Sequence, residues 1–144
     1  MGGDGFIEGV IMINAILDSH LMIKVNNKVG TLAEISNVIS ASKINLIAIN
    51  ASAVDNVGHL YFVTENNAEA KRLLKQKKYD VREEKVVLVT LDNKPGALQG
   101  VTTKIAQAGI DLTLIYGSVE KEGIISRVVM ISENNEALLM AIRT

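Results

Sequence analysis

The chain writes "VNNKVGTL" at Val25–Leu32 and "LDNKPGAL" at Leu91–Leu98, 66 residues later. Each phrase follows an apolar run, holds a glycine and ends on a leucine. At this offset Asn27, Lys28, Gly30 and Leu32 fall on Asn93, Lys94, Gly96 and Leu98. Ile39, Ile44, Leu46, Ile49 and Ser52 likewise fall on Ile105, Ile110, Leu112, Ile115 and Ser118. A two-residue insertion near Gly58 and Gly123 then shifts the frame to 68, where "TENNAEA" from Thr64 meets "SENNEAL" from Ser132. Agreement across several elements indicates an internal duplication.

Periodicity gives each copy its elements. In the first, Leu21, Ile23 and Val25 alternate with Met22 and Lys24 as a strand from His20 to Val25. Leu32, Ile35, Val38 and Ile39 recur at helical spacing and predict one apolar helix face. Lys43–Asn45 ends that helix, Leu46–Ala53 and His59–Thr64 read as strands, and "VDNVG" turns between them. Asn66 or Asn67 caps a second helix to about Lys77, and Tyr79–Arg82 reads as a fourth strand.

The second copy repeats the order: a strand at Val86–Leu91, then a helix with Pro95 at its start and the stripe Leu98, Val101, Ile105, Ala108. Gly109 ends that helix, strands follow at Leu112–Val119 and Ile124–Ser132 around "EKEG", and a last helix begins at Asn134 or Asn135.

The fold class is α+β: two tandem ferredoxin-like βαββαβ units, each an antiparallel sheet with helices on one face. The units cover 19–85 and 86–144, joined through "EEK", after a leader at 1–18 with a flexible "MGGDG" start. The second unit lacks its fourth strand. Either part of Phe6–Leu17 supplies it, in this chain or a partner's, or the edge stays open for a dimer to cover.

Composition narrows the function. Apolar residues make up 48% of 144, ample for a core, and the net charge is −1. No strong field exists to hold a nucleic acid, and five aromatics without Trp offer few stacking platforms. The absence of Cys removes thiol catalysis and Cys-based metal sites. No nucleophile–base set can be assembled, so no catalytic or metal-binding residues are expected, and no cofactor. His20 and His59, at strand starts, read as surface histidines. The run at Val10–Leu17 is too short to span a bilayer, so a membrane is not expected and a cytoplasmic location fits.

Gly30 and Gly96 stand between first strand and first helix, where glycine permits a positive φ or close backbone approach. The first turn of a helix leaves N–H groups unpaired, a ready site for a carboxylate. Asn26, Asn27, Asp92 and Asn93 add side-chain donors and acceptors. Such a loop can grip both ends of a small amino acid. The alternative is a plain turn and cap.

A hydrophobic strand followed by Asp/Asn-x-x-Gly-x-Leu inside a βαββαβ unit resembles the ACT domain family. "LDNKPGALQGV" carries the favoured Pro before Gly, and "VNNKVGTLAEI" has Val29 there. The resemblance spans residues 20–144 as two copies and implies regulatory binding of small ligands, most often amino acids, at domain interfaces. The positions it implies are Asn26, Asn27, Gly30, Thr31 and Leu32, and Asp92, Asn93, Gly96, Ala97 and Leu98. It implies a non-enzymatic sensor, a homodimer because such sites need facing units, and action on a separate metabolic enzyme. The competing expectation is a ligand-free docking subunit.

Overall fold

The repeated phrase folds the same way in both places. The computed structural model describes residues 13–26, 28–119 and 124–144. The Thr31 N–H donates to the Lys28 carbonyl at 3.3 Å, and the Ala97 N–H to the Lys94 carbonyl at 3.2 Å. Gly30 adopts φ 89°, ψ −7° and Gly96 φ 88°, ψ −14°. Both are type II turns with glycine at the third position, where φ must be positive. Pro95 takes the second position, for which its ring pre-sets φ. It therefore precedes the helix instead of opening it, because Gly96 is the N-cap.

The elements are β1 (Ile13–Asn26), α1 (Thr31–Ala41), β2 (Leu46–Val54), β3 (Val57–Thr64), α2 (Asn67–Gln76), β4 (Asp80–Asp92), α3 (Ala97–Gln107), β5 (Leu112–Val119), β6 (Ile125–Ser132) and α4 (Asn135–Arg143). Two compact units emerge. One is Asp18–Lys85, and the other is Val86–Thr144 with the described part of Met1–Leu17.

In the unit Asp18–Lys85 the strand order is β2-β3-β1-β4. Leu21 pairs with Phe62 and Ile23 with Leu60, antiparallel. These residues, with Val81, form a core with Ile35 and Ile39 of α1 and Ala70 and Leu74 of α2, so both helices cover one sheet face. Each of the larger side chains, fully buried, contributes about 1.5–3 kcal/mol. The β2–β3 hairpin closes on Asp55 and Asn56, at φ 51° and 64°. Two residues with positive φ match the right-handed strand twist, and Asp and Asn tolerate it.

In the other unit the order is β1-β4-β6-β5. Val87, Val89 and Leu91 of β4 pack with Val101 and Ile105 of α3 and Leu138 and Ile142 of α4, and Ala15 of β1 is in the same cluster. β1 is the neighbour of β4 in this order, and its start, Ile13–Leu17, groups with this unit.

Several boundaries differ from the sequence reading. β1 begins before His20, because Ile13 and Ala15 enter a core that residues far downstream build. "EEK" is no linker: Glu83, Glu84 and Lys85 lie inside β4, with Glu83 accepting from Ser19 Oγ at 2.6 Å and Glu84 bonded to His20. The buried stripe of α3 is Ala97, Val101, Ile105, while Leu98 and Ala108 are exposed. Phe6–Met12, Asn27 and "EKEG" lie outside the described residues.

The two asparagines of "ENN" divide their work identically in each copy. Asn66 and Asn134 are N-caps, accepting from the Glu69 and Ala137 N–H groups at 3.1 and 3.0 Å. Asn67 and Asn135 accept instead from the Thr64 and Ser132 N–H groups at 2.9 and 3.0 Å, fastening strand to helix.

Candidate functional site

The helices that follow the glycine turns end differently from the other two. Gly30 and Gly96 supply no side-chain cap to α1 and α3, whereas Asn66 and Asn134 cap α2 and α4. The Thr31 and Ala97 N–H groups are taken by the turn carbonyls, the next N–H groups of α1 and α3 receive no side-chain cap, and the helix dipole favours an anion there.

Beside each turn lies a cavity of about 270 Å³, and the two are repeat equivalents. Val25, Lys28, Thr31 and Leu32 line one where Leu91, Lys94, Ala97 and Leu98 line the other. Ala51 and Ser52 correspond to Gly117 and Ser118, and Gly58 and Leu60 to Ser126 and Val128. A Cβ on Gly58 would meet Val25 Cγ2 at 3.0 Å, and one on Gly117 the Arg127 carbonyl oxygen at 3.0 Å. The small residue has moved from β3 in one copy to β5 in the other, so the two cavities differ in shape.

Their chemistry differs too. The cavity of the second copy holds Asp92, with Lys94 Nζ at 3.7 Å from its Oδ2, beside Asn93, Ser118 and Ser126. The Asn93 N–H donates to the Ile124 carbonyl at 2.9 Å. The cavity of the first copy has Lys28, Thr31 and Ser52 but no carboxylate among its described lining. An acid beside a base suits a zwitterion, and a base with helix N–H groups suits a carboxylate alone.

Of the residues expected at the site, Gly30, Thr31 and Leu32 line the first cavity and Asp92, Asn93, Ala97 and Leu98 the second. Gly96 shapes the turn without lining the cavity, and Asn26 faces a different cleft. Asn27 lies outside the described residues. Sequence reasoning missed the β2/β3 and β5/β6 walls. The identical pair Ser52 and Ser118 was their one available signal.

His20 is not the surface histidine its position suggested. It is fully buried within β1, its ring 5.1 Å from Tyr61 and its Nε2 2.8 Å from Glu84 Oε1. His59 lies opposite Lys24, further along β1. Among the described residues no helix is long and apolar enough to cross a membrane.

A family model described as "ACT domain pair" matches residues 16–141. The chain belongs to that family, a class of paired regulatory domains. A crystal structure of a protein from Bacteroides thetaiotaomicron superposes with a TM-score of 0.81 at 25% identity, covering 90% of this chain and 88% of that one. The ligand-free regulatory subunit of aspartate kinase from Thermus thermophilus gives 0.62 at 14% identity, over 92% of this chain and 94% of that. The corresponding subunit from Thermus flavus gives 0.59 at 16%, over 91% and 94%. At such identities the last two speak for the fold alone. No curated protein sequence matches the chain.

Proposed function

We propose that this protein is a non-catalytic sensor that binds a small amino acid at a glycine-turn cavity and regulates a separate metabolic enzyme. One observation carries the reading: the duplicated chain keeps a cavity at the equivalent place, beside a helix without a side-chain cap, in both copies. A turn kept only to close a strand onto a helix needs no adjoining pocket. The cavity with Asp92, Asn93 and Lys94 is the amino-acid site, its acid taking the ammonium and its N–H groups the carboxylate.

The working form is a homodimer. Leu32 and Leu98 are each 45% exposed on the cavity rims, and Ile49 and Ile115 are each 42% exposed on β2 and β5, the outer strand of each unit. Repeat-equivalent apolar residues at matching exposure favour a second copy that covers them and closes the cavities. Sedimentation should return twice the chain mass, and a strictly monomeric protein would remove this part of the reading. The regulated partner is a separate enzyme chain, by analogy with the kinase regulatory subunits of the same fold.

A thermal unfolding screen against the protein amino acids at millimolar concentration tests the central claim. A ligand at 100 times its Kd adds about 2.7 kcal/mol to the folded state. That raises Tm by roughly 5–10 °C for a chain of this size. The shift should vanish in Asp92→Ala. No shift from any amino acid would overturn the reading in favour of a ligand-free docking subunit.

A further inference from the structure

We propose that the unit Asp18–Lys85 carries a second binding site, for a small phosphate-bearing polyanion, in the cleft between the end of β1, the start of α1 and the start of β4. This cleft encloses about 620 Å³ and is lined by Lys24, Lys28 and Lys78 with Glu34, Tyr79 and Asp80. A smaller cavity of about 180 Å³ shares Lys24 and Asp80 and adds Arg82 and His59.

None of the four cationic groups, Lys24, Lys28, Lys78 and Arg82, has an ion-pair or hydrogen-bond partner for its side chain among the described residues. Several cations outside the cleft are matched, whereas Lys43, Lys75 and Lys77 are not among the described residues, so it is the convergence of four on one cleft that sets this site apart. Lys71 meets Glu83 at 3.9 Å, Arg72 meets Glu69 at 2.5 Å, and Arg143 is held by a backbone carbonyl. Of the two acids in the cleft, Glu34 accepts the Tyr79 hydroxyl, and Asp80 makes no ion pair among the described residues. Four cations against two carboxylates leave a local positive excess in a chain whose net charge is −1.

The duplication supplies a control within the molecule. In the second copy Thr90 stands where Lys24 does, Gly100 where Glu34 does, and Lys94, the counterpart of Lys28, is paired with Asp92. The fold therefore does not require this charge set. It belongs to one copy, and apart from Lys28, which also borders the first turn cavity, its cations line neither turn cavity.

Lysine ammonium groups are compact charges on flexible stems and suit the rounded charge of phosphate. A volume of this size suits a small molecule better than a polymer.

The experiment is calorimetric titration of pyrophosphate into the full chain at low salt, with amide chemical-shift mapping. We expect saturable one-to-one binding with shifts centred on Lys24, Lys78 and Tyr79. In Lys24→Ser/Lys78→Ser/Arg82→Ser the affinity should fall at least tenfold. Those three side chains line neither turn cavity, so any amino-acid response stays intact and the two proposals fail separately. A control variant, Lys43→Ser/Lys75→Ser/Lys77→Ser, loses equal charge outside the cleft and should keep its affinity. Absence of saturable binding, or an equal loss in the control, overturns the proposal.

Discussion

Arg143, the last residue of α4, donates from both Nε and Nη2 to the carbonyl oxygen of Ala15 in β1, at 3.1 and 2.9 Å. The final helix thereby grips a strand 128 residues earlier, beside a core that already contains Ala15. Bonds from a charged donor contribute about 1.5–3 kcal/mol, and the exposure of Arg143 brings this towards the lower end. Arg143→Ala should lower stability by about 1–2 kcal/mol in urea unfolding. Deleting residues 1–17 removes Ala15 and Ile13 as well, and should cost more than the point substitution. An unchanged midpoint after the deletion would show that this strand does not complete the sheet.

The two turns differ at one informative position. Pro95 sits second in its type II turn, whereas Val29 occupies that place in the other and is fully exposed. No backbone hydrogen bond from the Val29 N–H is present among the described residues outside the regular elements. Val29→Pro should stabilise by about 0.5–1 kcal/mol, chiefly by restricting the unfolded chain. A loss of stability would mean that Val29 does not adopt the φ of this turn.

Three helices end on a residue with positive φ. These are Lys43 at 58°, Lys78 at 71° and Gly109 at 71°. Each makes the paired closing bonds of a Schellman motif, as when the Ile44 N–H donates to the Ile39 carbonyl and the Ile110 N–H to the Ile105 carbonyl. A Cβ at Gly109 would find open space, so only backbone strain opposes a side chain there. Gly109→Ala should cost about 1 kcal/mol, and Lys43→Gly should gain about 0.5 kcal/mol after the glycine entropy is subtracted. Equal and opposite results would invert the assignment of strain.

Burial, and then the hydrogen bond to Glu34, push the Tyr79 hydroxyl up to about 12. The unfolded value is about 10. A raised folded value means the native state holds its proton more tightly. Its contribution is therefore complete below pH of about 10 and is lost as pH climbs towards 12. Tyrosinate absorbance should show one tyrosine titrating late, and Tyr79→Phe should remove both that step and its share of the alkaline destabilisation.

Much of this architecture is readable in the chain because the duplication reports each element twice. Asn66 and Asn134, Gly109, and the helix faces of Ile35 and Ile105 all announce themselves by spacing or type. Other features hide for physical reasons. The start of β1 is apolar on both faces, with Ala15 buried but Ile16 and Leu17 exposed, so alternation is absent. Glu83–Lys85 resembles a solvated link, yet its acids bond across to Ser19 and His20 within a strand. Leu98 falls on the solvent side because the turn starts α3 at Ala97. The cavity walls at Gly58 and Ser126 depend on strand pairing, which spacing along one chain does not carry.

The border between the two units, at Lys85 and Val86, falls in the middle of β4. A reporter or linker spliced between the repeats, ordinarily the safest place in a tandem protein, would here sever a hydrogen-bonded strand. The tolerant splice point is the two-residue hairpin tip at Asp55 and Asn56, inside a repeat.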